Sequence, residues 1–166
     1  MKSNLPTLAL SVRQPWAWAI IHGGRDVDNR KWSALGGKGS LRGRVCIHAS
    51  LAMNKGYYES AAHIMKAIDV ICPPANQLPR GGIVGTVEII DNVSHSQSIW
   101  FTGPRALVLR DPQACTPIPC KGHHEIFEWE ESGTLAKQAA WMRGRTSGGI
   151  TRPLRRIGLP NADGLA

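Results

Sequence analysis

The sequence predicts an α+β domain that is mostly β: a small barrel of five or six strands with flanking helices. Short β-branched apolar segments recur between turn signals, and only two or three segments show helical spacing. The 166 residues suit one domain with one hydrophobic core. A hydrophobic content of 42% with 19% charged residues is typical of a soluble folded chain rather than a disordered one.

The first third of the chain is predicted to contain two strands and a short helix. Residues 7–12 form an apolar run that predicts a buried strand, and residues 44–49 predict another. Between them, Pro15 is suited to the first turn of a helix, which continues over residues 16–21 until Gly23 ends it.

The remainder of the predicted domain alternates between helix and strand. Asn54 is a candidate N-cap for a helix that runs towards Ile71, because apolar residues follow it at helical spacing. The β-branched run over residues 83–93 predicts a long strand. The remaining predicted elements are strands at 105–110, around Ile118 and at 125–129, and a closing helix over 132–142 with Ser132 as its cap.

The end of the chain differs in composition from the rest. After Met142 the apolar periodicity is lost and the content of Gly, Pro and Arg rises. We therefore expect one domain over residues 1–142 and a flexible basic tail over residues 143–166.

The charge balance favours an anionic partner. Twenty Lys and Arg against 12 Asp and Glu give a formal charge of +8, and the basic residues are concentrated between Arg25 and Arg44 and again in the tail. Such a distribution is typical of nucleic-acid contact, although a solvated basic face is also common. No apolar run is long enough to span a bilayer and no signal peptide is evident, so we expect a cytoplasmic protein without membrane contact.

The four cysteines raise the question of a metal site. Cys115, Cys120, His123 and His124 are close in sequence and offer zinc donors. However, the two prolines between the cysteines favour an extended strand over a tight knuckle. We therefore expect buried, reduced thiols, no metal and no cofactor.

A set of spaced motifs resembles the ASCH domain of the PUA-like superfamily. That family's signature reads Gly-x-Lys-x-x-Glu-x-Arg, and this chain has Gly23-x-Arg25-x-x-Asp28-x-Arg30, in which Arg and Asp replace the Lys and the Glu. The other matching segments are residues 10–17 (LSVRQPWA), 42–50 (RGRVCIHAS), 78–85 (LPRGGIVG) and 100–104 (WFTGP). The resemblance covers residues 7–129 and implies a PUA-like barrel with a cleft lined by the signature.

The resemblance implies one of two functions. As a binding module, the protein would take nucleic acid, single-stranded RNA above all, or a nucleoside or nucleotide. As a metal-independent hydrolase, it would resemble relatives that cleave N4-acylated cytidine with a Lys, a Thr and a Glu, or that cleave single-stranded RNA. We prefer the binding module, because Arg25 replaces the Lys and cannot act as a base, while Asp28 occupies the position of the Thr.

The same residues supply the candidate site. In the hydrolase alternative, Asp28 is the base and Arg25 the anion stabiliser, and His48 is a third catalytic candidate because the family's matching stretch reads His-Ala-Ser. A histidine in a strand is more often structural, so both interpretations of His48 stay open. The residues expected to contact the ligand are Arg13, Gln14, Trp16, Arg30, Trp32, Ser50 and Trp100. Arginine forks suit phosphate or a base edge, and tryptophan rings suit base stacking.

Overall fold

The computed structural model describes residues 4–31 and 37–143. Within these ranges, six strands form one mixed sheet that curls into a half-barrel, with the order β2-β5-β4-β3-β1-β6. The strands are β1 (Leu8–Val12), β2 (Val27–Asn29), β3 (Gly43–Ala49), β4 (Gly82–Val93), β5 (Ala106–Pro119) and β6 (Ile126–Glu128). Strands β1 and β3 are parallel, and the other neighbouring pairs are antiparallel. The predicted α+β, mostly β architecture is confirmed.

Two α-helices accompany the sheet, α1 (Trp16–His22) and α2 (Lys55–Ala67). The predicted cap of α2 is confirmed, since the Asn54 side chain accepts a hydrogen bond of 2.8 Å from the Tyr57 amide. The helix ends earlier than predicted, where Asp69 adopts a positive φ of 61°. No helix among the described residues is long and apolar enough to cross a bilayer.

The main core lies between α1 and one face of the sheet. Ile20 and Ile21 on α1 pack with Leu10, Ile47 and Ile89 from three neighbouring strands. Burying a side chain of this size contributes about 1.5–3 kcal/mol, which stabilises a helix of only seven residues that would not form alone. The opposite face carries a smaller cluster, so both faces of the central strands are buried.

Strand β4 requires glycine where it approaches β5 most closely. A Cβ atom at Gly82 would lie 2.4 Å from the carbonyl oxygen of Ile118, and one at Gly85 would lie 2.5 Å from that of Gln113. The register between the two strands also shifts at three places, as in sheets that bend around bulges. The glycines of β4 and these register shifts lie where the sheet curls.

Three details of the predicted elements are wrong. The strands predicted at 105–110 and around Ile118 are parts of the single long strand β5. Strand β2 was not predicted as a strand, because Asp and Asn are poor strand formers; it exists through its pairing with β5. The closing helix predicted over residues 132–142 is absent, apart from a single 3-10 turn at Ala140–Met142.

Backbone contacts with the sheet explain why that closing segment is extended. The Ser132 amide donates to the Pro119 carbonyl, and the Ala136 amide donates to the Arg80 carbonyl, both at 2.9 Å. The buried Arg80 guanidinium also donates to the carbonyl of Lys137 at 2.9 Å. These bonds occupy groups that a helix would have paired internally. Apart from Arg143, the predicted tail lies outside the described residues.

We predict that Arg80 stabilises the fold by holding the extended segment around Lys137 against the sheet. The Arg80→Ala variant should lose about 2–3 kcal/mol of unfolding free energy, because its bonds to the carbonyls of Leu51 and Lys137 disappear. Urea denaturation measures this, with Arg42→Ala as the control. The ion pair of Arg42 with Asp91 is exposed and contributes less than about 1 kcal/mol. Equal losses in the two variants would contradict the prediction.

Candidate functional site

A cleft of about 1160 Å³ opens beside the carboxyl ends of the parallel strands β1 and β3. The ends of β1, β2 and β3 form its floor, and α2 and the loop before β6 form its walls. The charged and aromatic residues that line it are Arg13, Trp16, Arg25, Asp28, Arg30, Tyr57, Trp100 and Lys121. Four cations and one carboxylate among the described lining residues make the cleft positive.

Arg25 is the cation best placed to bind an anion. Its guanidinium lies 4.7 Å above the ring of Trp16, and its Nε donates to the carbonyl of Val27 at 2.9 Å. Its two terminal nitrogens have no hydrogen-bond partner among the described residues. Burial lowers the pKa of Arg25, and nearby Asp28 partly offsets that effect. Arg25 is thus a fixed positive charge in the cleft, and its terminal nitrogens donate to none of the described residues.

Trp16 holds Arg25 and is itself held by other aromatic residues. Its Nε1 donates to the Tyr57 hydroxyl at 2.9 Å, and its ring meets Trp100 edge to face at 6.4 Å. Asn29 fixes Trp100 in turn, because its amide donates to the Trp100 carbonyl at 2.8 Å. One face of the Trp16 indole is therefore covered by the guanidinium, which restricts the base stacking expected of it.

Arg30 is engaged in a different way. Its Nε lies 2.8 Å from the Asp28 carboxylate in an ion pair that is almost fully buried. Its Nη2 donates to the Ser11 carbonyl at 2.7 Å, and its Nη1 donates to that of His124 at 3.3 Å. All three nitrogens donate to the protein, so Arg30 connects β2 to β1 and to the loop before β6. Its observed contacts are those of a residue that shapes the cleft.

His48 lies in the wall shared by the cleft and the sheet and is only 1% exposed. Its Nε2 is 3.2 Å from the Cys120 carbonyl oxygen, and its Nδ1 is 3.1 Å from the Ser11 hydroxyl. A carbonyl only accepts, so Nε2 carries the hydrogen and Nδ1 accepts from Ser11. Burial lowers the pKa of His48, the hydrogen bond to the Cys120 carbonyl partly offsets that effect, and nearby His123 adds to the lowering, so the neutral ring predominates at pH 7.

The structure brings most of the other expected residues to the cleft as well. Arg13 lies there, 5.5 Å above the Tyr57 ring. Ser50 lines it with a buried hydroxyl that has no partner among the described residues. Gln14 does not reach the cleft: it is 1% exposed and bonds to Pro79 and to Trp18. Trp32 lies outside the described residues.

Sequence reasoning missed several polar or aromatic residues of the cleft. Among them, Ser11, Asn29, Tyr57 and Lys121 each lie on a different element. Tyr57 follows the N-cap of α2, and nothing in its neighbourhood indicates a site. Ser11 and Asn29 carried a signal, because Ser11 stands inside the motif at residues 10–17 and Asn29 inside the signature at residues 23–30.

The cysteines and histidines do not assemble a metal centre in the part of the chain that the structure describes. No group of three or more His, Cys, Asp or Glu side chains is placed there to share an ion. All four cysteines are free thiols. Burial raises the pKa of Cys46 to about 12 and also raises the pKa values of Cys115 and Cys120. These thiols are therefore protonated near neutral pH.

Comparison with known proteins gives one informative match. The chain is similar to Activating signal cointegrator 1 of Homo sapiens, with 27% identity over 132 residues. That match covers 72% of this chain but only 22% of the human protein. No family model matches the chain. The curled half-barrel sheet is compatible with a PUA-like fold.

We predict that the Asp28–Arg30 pair stabilises the domain. Arg30→Ala should cost about 3–5 kcal/mol, because it leaves a buried carboxylate without its partner. The double variant Asp28→Asn with Arg30→Ala should be more stable than Arg30→Ala alone, since that charge is removed. Urea denaturation of the wild type and the two variants measures both effects. An Arg30→Ala protein as stable as the wild type would refute the prediction.

We also predict a pH dependence that arises from His48. Because its pKa is lower in the folded chain than the usual 6.5, the unfolded chain binds more protons below that pH. Stability should therefore be full above pH 6.5 and fall as the pH drops through it, by at most about 1.4 kcal/mol per pH unit.

Thermal unfolding at pH 7.5 and pH 5.5 measures this dependence. The loss on acidification should be smaller in His48→Gln than in the wild type. The exposed His63 on α2 provides the control, because His63→Gln should keep the wild-type loss. A His48→Gln protein with the same loss as the wild type would show that another group is responsible.

Proposed function

We propose that the protein binds nucleic acid, with single-stranded RNA as the preferred ligand and a phosphate held by Arg25. The observation that carries the proposal is the Arg25 guanidinium, which is stacked on Trp16, lines a positive cleft and has two terminal nitrogens that bond to none of the described residues. A planar fork of donors matches two oxygens of a phosphate. Because the fork is already held in place, little of its conformational entropy is lost on binding.

The surroundings of Arg25 support a nucleotide rather than a bare anion. Arg13 and Lys121 line the same cleft and contribute further positive charge for a phosphodiester backbone. Tyr57 lines the same cleft, and stacking of a base on such a ring is worth about 1–3 kcal/mol. A recessed cleft admits unpaired nucleotides more readily than a rigid duplex.

We further infer that the chain is an ASCH-domain protein of the PUA-like superfamily, with its domain over residues 1–142. The signature at residues 23–30, the half-barrel and the similarity to the human cointegrator support this inference. In this proposal the tail over residues 143–166, which holds five arginines, adds phosphate contacts from outside the cleft.

The contacts of Asp28 bear on the hydrolase alternative. An Asp28 base would have to take a proton from water while its carboxylate is paired with Arg30 at 2.8 Å. The pair engages Oδ2 of Asp28, whereas a general base directs its oxygen at the proton that it abstracts. The same pair gives Asp28 a structural role, which supports the binding module over hydrolysis by Asp28.

We predict that Arg25→Ala weakens the binding of a fluorescent single-stranded RNA by about 10- to 100-fold, since charge-assisted hydrogen bonds are worth about 1.5–3 kcal/mol. Arg25→Lys should recover only part of the affinity, because lysine keeps the charge but loses the fork. Fluorescence anisotropy at several salt concentrations measures both, and the salt slope should fall by about 1 in Arg25→Ala.

The matched control is Arg42→Ala, which removes one exposed cation outside the cleft lining. Its affinity should change by less than about 2-fold, because long-range charge is screened. If Arg25→Ala and Arg42→Ala weaken binding equally, net charge and not the cleft accounts for the interaction. Unchanged binding in a folded Arg25→Ala protein would refute the proposed site.

A further inference from the structure

Two side chains of the cleft, those of Ser11 and His48, form a hydrogen bond that the proposed anion site does not require. Ser11 on β1 and His48 on β3 are direct partners in the parallel register of the two strands. The Ser11 hydroxyl lies 3.1 Å from His48 Nδ1, and both residues line the cleft. A serine within hydrogen-bond distance of a neutral imidazole is the arrangement of an activated nucleophile.

We propose that Ser11 and His48 are a nucleophile and its general base, and that the cleft hydrolyses carboxylic esters that bear a negatively charged group. The pair is distinct from the Asp28 and Arg25 pair considered above. It also stands apart from RNA binding, because it needs only the positive charge of the cleft and not a nucleic acid in it.

The hydrogen bonds define the direction of proton transfer. The Cys120 carbonyl accepts from Nε2, so the hydrogen stays on that nitrogen and Nδ1 presents its lone pair to the Ser11 hydroxyl. When Nδ1 takes the serine proton, the imidazolium keeps its bond to the Cys120 carbonyl, which stabilises the new positive charge. A carbonyl thus takes the place that a carboxylate occupies in other serine hydrolases.

The surroundings hold the pair in this orientation. Arg30 Nη2 donates to the Ser11 carbonyl at 2.7 Å, which fixes the nucleophile's backbone. A Cβ atom at Gly122 would lie 2.3 Å from His48 Cε1, so the loop backbone packs directly on the ring. The ring of Phe127 lies edge to face with the imidazole, with 5.7 Å between the ring centroids. The imidazole is thereby held in its orientation towards Ser11, as catalytic pre-organisation requires.

The chemical steps balance with water as the only co-reactant. Ser11 Oγ bonds to the ester carbonyl carbon while its proton passes to His48 Nδ1. The bond from that carbon to the alcohol oxygen then breaks, and the leaving alkoxide takes the proton from Nδ1. Water attacks the resulting acyl-serine, gives one proton to Nδ1, and releases the acid as Ser11 regains its proton.

The substrate class follows from the charges around the pair. Four lining cations against one carboxylate favour an ester whose acyl or alcohol part is anionic. Arg25, whose two terminal nitrogens bond to none of the described residues, is the group that would hold that anion. A neutral ester lacks this interaction and should react more slowly.

The test is covalent labelling of the full chain with a fluorophosphonate, followed by intact mass and peptide mapping. We expect one adduct, on Ser11, that is absent in Ser11→Ala and at least 100-fold slower to form in His48→Gln. The exposed Ser60 on α2 gives the matched control, and Ser60→Ala should label like the wild type. A purely structural hydrogen bond would not produce this adduct.

A second measurement keeps the test independent of variant stability. Wild type should hydrolyse mono-4-nitrophenyl succinate at least 10-fold faster than 4-nitrophenyl acetate, and Ser11→Ala, with the wild-type circular dichroism spectrum, should hydrolyse neither above the buffer rate. Absence of a Ser11 adduct, or equal hydrolysis by wild type and Ser11→Ala, would overturn the inference. RNA binding that persists in that case would leave the proposed function intact, whereas loss of RNA binding alone would refute only that function.

Discussion

The shape of the cleft depends on the ion pair and the hydrogen bonds that the Arg30 side chain makes. The half-barrel is open between β2 and β6, the two ends of the strand order, and no backbone ladder joins them within the described residues. Arg30, which follows β2, spans that opening: it pairs with Asp28 on β2 and donates to the carbonyls of Ser11 and His124. A buried pair of this kind is specific in geometry, because each donor must find its acceptor. These contacts fix the distance between the strands that form the floor of the cleft and the loop before β6 that forms one of its walls.

Two arginines five residues apart therefore act in opposite ways. Arg30 directs every nitrogen to the protein, whereas Arg25 leaves its terminal nitrogens unpartnered among the described residues and rests on Trp16. Their positions on either side of β2 account for the difference: Arg30 follows the strand towards β1, while Arg25 precedes it beside α1. Arg30 maintains the shape of the cleft, and Arg25 places its charge inside it. A pre-organised anion site needs both roles.

The loop before β6 connects this charged region to the serine and histidine pair. Cys120 accepts from His48, Gly122 packs on its ring, and His124 accepts from Arg30. Displacement of this short segment would disturb both the imidazole and the guanidinium at once. The position of the Arg30 guanidinium and the orientation of the His48 imidazole therefore depend on the same backbone segment.

The sequence by itself determined the fold class, the strands at β1, β3 and β4, the capped helix α2 and the segment that holds Arg25 and Arg30, because these rest on local periodicity, capping and motif spacing. Only the tertiary structure decided what depends on distant partners. Strand β2 exists through its pairing with β5, and residues 132–142 are extended because the sheet takes their backbone bonds. The contrast between two chemically identical arginines follows from their positions before and after β2. The meeting of Ser11 with His48 across 37 residues follows from the register of β1 and β3. Spacing along the chain carries no information about such contacts, since chain separation does not specify which strands become neighbours.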